Sequence, residues 1–269
     1  MTDTQPKKNP ADFKPSMVPP MKGRPRGPEL PHIDVYEYGA KRGDVQQKMN
    51  ERLFMQLLVF DAPVGSDAAA YVEALARAVD AAKVPSVIYE DVNDPRGIAL
   101  LTWSTDPAHF VTAVRPLFRA EPLKELHHRR DFAMLGRTYG LGYEQNLAHW
   151  LLEKPVANVL NEDNVWAVWY PLRRSGAFEK LDHTEKRAIL GEHGTIGRAY
   201  GAQGLGSDVR LACHGIDAND NEYVIGLIGK ALHPLSHLVQ AMRGTRQTSE
   251  FIQEMGPFFV GHVAHRQKG

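Results

Sequence analysis

Residues 97–118 read GIALLTWSTDPAHFVTAVRPLF, and residues 222–243 read EYVIGLIGKALHPLSHLVQAMR. Each stretch is an apolar strand candidate followed by a proline near a first helical turn, Pro107 in one and Pro234 in the other. Each then continues as a helix, and the apolar positions of the two helices match. The chain therefore reads as one pattern written twice.

Working outward, the first copy has a strand at 53–60 (LFMQLLVF), a helix from Asp67 to Ala82 and a strand at 85–92. After the strand and helix quoted above, a strand at 132–139 (FAMLGRTY) closes the set. The second copy has a strand at 165–174 (VWAVWYPLRR), a helix from Asp182 to about His193, and strands at 209–216 and 222–230. A helix at 233–243, a short helix near 248–254 and a strand at 257–263 follow. Strand–helix–strand–strand–helix–strand is the ferredoxin-like order. Two tandem ferredoxin-like units predict an α+β fold of the dimeric α+β barrel type, with antiparallel sheets and helices on one face. The expected boundaries are a proline- and lysine-rich tail at 1–30, a first domain at 31–152, a connection at 153–164 and a second domain at 165–269.

The 269 residues are 43% hydrophobic with a formal net charge of +0, enough for real cores and without the charge that nucleic acid or a membrane surface would attract. The basic run HHRR at 127–130 reads as a solvated face. One cysteine, Cys213, leaves no internal disulfide, thiolate metal cluster or covalently attached haem. No apolar run has membrane length and no secretory signal is visible. A reduced, cytoplasmic protein is expected.

Asp182 and Glu185 suit a capping box. On the helix they open, Ile189, His193 and Ile196 share an apolar stripe, with Gly194 and Gly197 behind. Taken alone, that spacing favours a packed core histidine over a ligand. Strand alternation puts Trp166, Val168, Tyr170, Leu172 and Arg174 on one face, and Arg210, Ala212 and His214 on a face of the next strand. An inward arginine costs too much unless it meets an anion or a carboxylate. These residues read either as a pocket for something large, flat and anionic, or as strands whose charged faces point outward. His233 and His237 have metal-pair spacing without an evident third ligand. His127, His128, His262 and His265 read as surface residues.

The segments LGRTY (135–139), YPLRRSG (170–176), EHGTIGRAY (192–200), RLACHGIDANDNEY (210–223) and MRGTRQTSEFIQEMGPFFVG (242–261) together resemble the chlorite dismutase superfamily, closest to its coproheme decarboxylase branch. The resemblance covers most of 130–265, and the first half only as a degenerate repeat. It implies that His193 is the proximal iron ligand of a non-covalent haem b or coproheme. Tyr170 is similar to the tyrosine whose radical acts on a porphyrin propionate. Arg174 stands where that branch has lysine, keeping the charge but not the ability to hand over a proton. Arg210 falls at the distal position, where the best-known decarboxylases carry glutamine and chlorite dismutases arginine. Counting from GPFFVG puts Thr248 at the place of a glutamate that often bonds the proximal histidine, with Gln247 and Glu250 beside it.

The resemblance thus implies a peroxide-dependent enzyme that converts iron coproporphyrin to haem b, through Tyr170, Arg174 and Arg210 with His193 on the metal. Its alternatives are a chlorite dismutase-like or general haem peroxidase acting on chlorite or peroxide, and a non-catalytic haem carrier or sensor. A non-haem reading is an assembly scaffold in which His193 is merely packed. The expected partners are these small molecules and further copies of the chain, a ring-like pentamer by resemblance.

Overall fold

The computed structural model describes residues 29–269, of which 36–269 form one unit. The segment read as a tail at 1–30 lies, but for its last two residues, outside the described residues. A hairpin that the sequence reading did not anticipate comes first, β1 (Glu37–Arg42) and β2 (Val45–Met49). The first half continues with β3 (Phe54–Asp61), α1 (Ala68–Ala82), β4 (Ser86–Asp91) and β5 (Gly97–Ser104). A wide helical turn, Phe110–Val114, leads into α2 (Arg115–Leu117), then β6 (His127–His128) and β7 (Met134–Arg137). The stretch read as a connection carries α3 (Lys154–Leu160). Beyond it come β8 (Trp166–Arg174), α4 (Gly176–Glu179), α5 (His183–Ala202), β9 (Ser207–Ala212) and β10 (Tyr223–Gly229). The chain ends with α6 (Leu232–Arg243), β11 (Ile252–Met255) and β12 (Phe259–Gln267).

The doubled order is therefore present, and the two copies share one sheet. Strands pair in the order β10-β9-β7-β3-β5-β4-β12-β8, and β8 pairs again with β10, so the sheet closes on itself. β6 and β11 attach at its rim. The halves meet along β4 and β12, from Gly261 opposite Asp91 to Gln267 opposite Ser86. They meet again at the single pair Arg137–Ala212 between β7 and β9. Closure explains the long apolar runs in strands such as LFMQLLVF: one set of side chains fills the barrel while the alternate set is covered by helices.

Met55, Leu57, Tyr89, Leu101, Trp169, Leu211 and Phe259 belong to the interior cluster. Gly226 sits opposite Trp169 because a Cβ there would lie 2.5 Å from the indole ring. Outside the first half, Leu75, Val79, Val114 and Leu117 pack on Ile88, Ile98 and Leu100. Outside the second, Leu235, Leu238 and Ile196 pack on Val168, Tyr170, Leu172 and Leu227.

Several expectations change. The helix that opens at Asp182 does not end near His193. It runs to Ala202 through Gly194 and Gly197, with the Asp182 carboxylate capping the Glu185 amide at 2.9 Å. The short helix expected near 248–254 is a wide turn, Gln247–Phe251, that leads directly into β11. The HHRR run is a solvated face only at His127 and Arg130, because Arg129 is only 21% exposed and pairs with Asp91 at 3.2 Å, with Asp61 and Asp94 further out. His128 beside it has a buried Nε2, and His262 packs edge-on against Trp166. Among the described residues, no helix is long and apolar enough to cross a membrane.

Candidate functional site

The alternation read in β8 and β9 is the observed one. Val168, Tyr170 and Leu172 face the α5–α6 layer, while Ala167 and Trp169 face the barrel interior. Val209, Leu211 and Cys213 also point inward, which leaves Asp208 and Arg210 on the outer face. Register then aligns the candidates. Arg210 of β9 lies opposite Ile225 of β10, and Ile225 lies opposite Tyr170 of β8. Arg210, Ile225 and Tyr170 thus form one cross-strand row, with its ends about 10 Å apart at normal strand spacing. The neighbouring row holds Asp208, Leu227 and Val168, and the row on the other side Ala212, Tyr223 and Leu172.

Tyr170 is buried, and its ring stacks on Phe258 with centroids 4.7 Å apart. Burial, with a smaller contribution from Asp208, pushes its hydroxyl pKa well above the usual range, so the phenol stays protonated. The two arginines meet carboxylates, as their cost requires. Arg174 donates from Nε to Glu222 at 3.0 Å and from Nη2 both to Glu222 and to the Tyr223 hydroxyl, the latter at 2.9 Å. Its guanidinium also lies against the rings of Phe178 and Tyr223. In this arrangement Arg174 is fixed and its charge is balanced. Arg210 pairs from Nε with Asp208 at 3.0 Å.

Sequence reasoning missed a second cation here. Lys154 of α3 lies 3.4 Å from the other oxygen of Asp208 and 3.7 Å above the Trp150 ring. Tyr139, Trp150, Lys154, Asp208 and Arg210 line one small pocket. Burial lowers the Lys154 pKa, while Asp208 holds it up. The i, i+4 spacing of Trp150 and Lys154 was visible as a helical pair, but nothing local tied that pair to Arg210.

His193 is half-buried on α5, on the stripe that joins Ile189 to Ile196 and Tyr200. Burial, then the charge of Arg210, lowers its pKa, so the ring is neutral at neutral pH. Its Nδ1 lies 3.3 Å from Oγ1 of Thr245. The partner is thus Thr245 and not Thr248, and Glu250 is engaged with Arg246 at 3.2 Å. One turn beyond His193 on the same face, Gly197 has room: an added Cβ would meet nothing nearer than the Met242 Cε at 3.6 Å. A neutral imidazole, a bare helix turn and an apolar sheet face with two cations at its edge fit a flat iron chelate carrying carboxylates. The His233–His237 pair lies on the exposed side of α6, where the Tyr200 hydroxyl contacts His237 Nδ1. Among the described residues, no group of three or more histidine, cysteine or acidic side chains is placed to hold a metal.

Comparison with known proteins bears on the fold. A heme-binding protein from Thermus thermophilus superposes with a TM-score of 0.60 at 19% identity, over 81% of this chain and 93% of that one. Chlorite dismutase from Candidatus Nitrospira defluvii, solved in complex with imidazole, superposes with a TM-score of 0.62 at 12% identity, over 81% and 93%. At these identities the likeness speaks for the fold. No curated protein matches the chain. The chlorite dismutase family model matches residues 127–264, just over half of the sequence and the whole of the His193, Tyr170 and Arg210 region. By that match, the chain belongs to the chlorite dismutase family.

Proposed function

We propose that the chain binds an iron porphyrin through His193 and decarboxylates iron coproporphyrin with hydrogen peroxide to form haem b. The carrying observation is the row Arg210–Ile225–Tyr170, which faces the helix layer bearing His193. An iron porphyrin held by His193 would supply the two-electron reduction of peroxide. Each propionate becomes a vinyl group, releasing carbon dioxide, one proton and two electrons; peroxide, two protons and those electrons give two waters. Tyr170 is the residue built to pass electrons from the propionate, being a protonated phenol held out of water. Arg210 and Lys154 sit at the edge of the apolar face with only Asp208 between them, and they attract the carboxylates. Arg174 orients Tyr223 and stays with Glu222.

The test is mass spectrometry of the pigment after the purified protein is mixed with iron coproporphyrin and peroxide. Two successive losses of carbon dioxide with two hydrogens support the reading, and an unchanged porphyrin defeats it. A second reading, chlorite decomposition, is favoured by Arg210, whose fixed charge suits an oxyanion. Oxygen release from chlorite with no porphyrin mass change would select it. The same resemblance carries a ring-like pentamer, and the buried Cys213 suits a cytoplasmic setting.

A further inference from the structure

We infer that Thr245 is a positioning residue: its hydroxyl locks His193 as the Nδ1–H tautomer and gives the ring an uncharged partner. The inference rests on the reading of His193 as the iron ligand and extends it to the electronic character of that ligand. Thr245 is 1% exposed, just beyond the end of α6. Its hydroxyl has a single hydrogen, and the Met242 carbonyl, which can only accept, lies 2.8 Å away. The Thr248 hydroxyl, 3.3 Å away, is the longer contact and can itself donate, so the hydrogen goes to the carbonyl. Toward His193 Nδ1, 3.3 Å away, the Thr245 oxygen can then only accept, so Nδ1 carries the ring proton and Nε2 is left with its lone pair.

The acids nearby are otherwise engaged. Glu192 accepts from the Arg246 amide at 3.2 Å, and Glu250 pairs with the Arg246 guanidinium. A carboxylate at Nδ1 would draw off the proton and make the ring a stronger donor to iron, favouring the ferric state. A hydroxyl oxygen that already gives its hydrogen to a carbonyl orients the ring without that pull. An iron porphyrin held by His193 would accordingly be more easily reduced than with a carboxylate in the same place.

Two measurements on the full chain test this. Nitrogen-15 NMR of the protein without porphyrin should show His193 as the Nδ1–H tautomer, and Thr245→Val should shift it toward Nε2–H. Thr245→Ser should restore the wild-type signal. An Nε2–H ring in the wild type, or a tautomer unmoved by Thr245→Val, overturns the inference whatever the protein binds. After loading with iron protoporphyrin, the ferrous iron–histidine stretch should fall in Thr245→Val and return in Thr245→Ser. In Thr245→Glu the stretch should rise and the midpoint potential drop. A stretch and potential equal in wild type and Thr245→Val also overturn it, and need no charged variant to fold. A wild-type protein that shows the Nδ1–H tautomer but no iron–histidine band defeats the ligand reading, and with it the electronic half of the inference.

Discussion

A phenol shut away from water holds its proton firmly yet can still give up an electron, and Tyr170 is such a phenol. Arg210, at the other end of the same row, offers only charge and donors. The two substitutions should therefore fail differently. Tyr170→Phe should bind iron coproporphyrin normally and lose the two-step mass decrease. Arg210→Ala should slow peroxide consumption by about 100-fold, the loss expected for one preorganised donor, while retaining some decarboxylation. Normal haem b formation by Tyr170→Phe together with none by Arg210→Ala would reverse the roles. His193→Ala should lose the histidine-ligated ferrous spectrum and release porphyrin faster on dilution; an unchanged spectrum would move the ligand elsewhere. At this scale much was legible, because alternation along β8 and β9 depends only on the chain's own period. Thr245 was not. Counting back from GPFFVG passes through the wide turn at Gln247–Phe251, and the residue that fronts His193 lies before that turn. Lys154 was hidden for another reason, since its partner Asp208 is brought in by the fold and not by sequence spacing.

Helix α5 shows how an element can contradict its local propensities. Glycine costs about 1 kcal/mol relative to alanine inside a helix, so Gly194 and Gly197 read as a loosening of the backbone. The helix nevertheless continues to Ala202, because Ile196 and Tyr200 pack with α6 on the outer face of the sheet. The packing explains why the helix persists, but not why glycine stands at 197, where a methyl group would fit. A ligand face on the His193 side would explain it. Gly197→Ala should accordingly raise the stability of the porphyrin-free protein by about 1 kcal/mol and weaken porphyrin retention, read by urea denaturation and by competition with apomyoglobin. Retention that does not fall would take the glycine away from the site. The β1–β2 hairpin was not legible for the opposite reason. Its residues EYGAKR and VQQKM alternate weakly, and Gly39 lies so near the Glu144 carbonyl that long-range contact holds the hairpin.

At the scale of the whole molecule, the repeat was legible but its closure was not, since the seams β4–β12 and β7–β9 join segments far apart in sequence. Closure also removes the open sheet edges that would by themselves drive association. The pentamer therefore stands on resemblance, and light scattering decides it: about five times the 30.0 kDa chain mass is expected, and a mass near one chain rejects it.

Acid sensitivity is the property that the packed outer layers predict most directly. His109 and His128 in the first half each have a buried Nε2 without a hydrogen-bond partner among the described residues. Burial pushes both pKa values below the ordinary 6.5, and His193 shifts the same way. An unfolded histidine takes up its proton near 6.5, whereas these do so only at lower pH. Below about 6.5 the unfolded chain thus binds more protons than the folded one, and stability falls as pH falls. Asp91 acts in the opposite sense, because burial raises its pKa. Urea midpoints of the porphyrin-free protein should therefore decline between about pH 7.5 and 5.5. The double variant His109→Gln, His128→Gln should decline less steeply over the same range. Equal slopes for the two proteins would place the acid sensitivity outside this pair of buried rings.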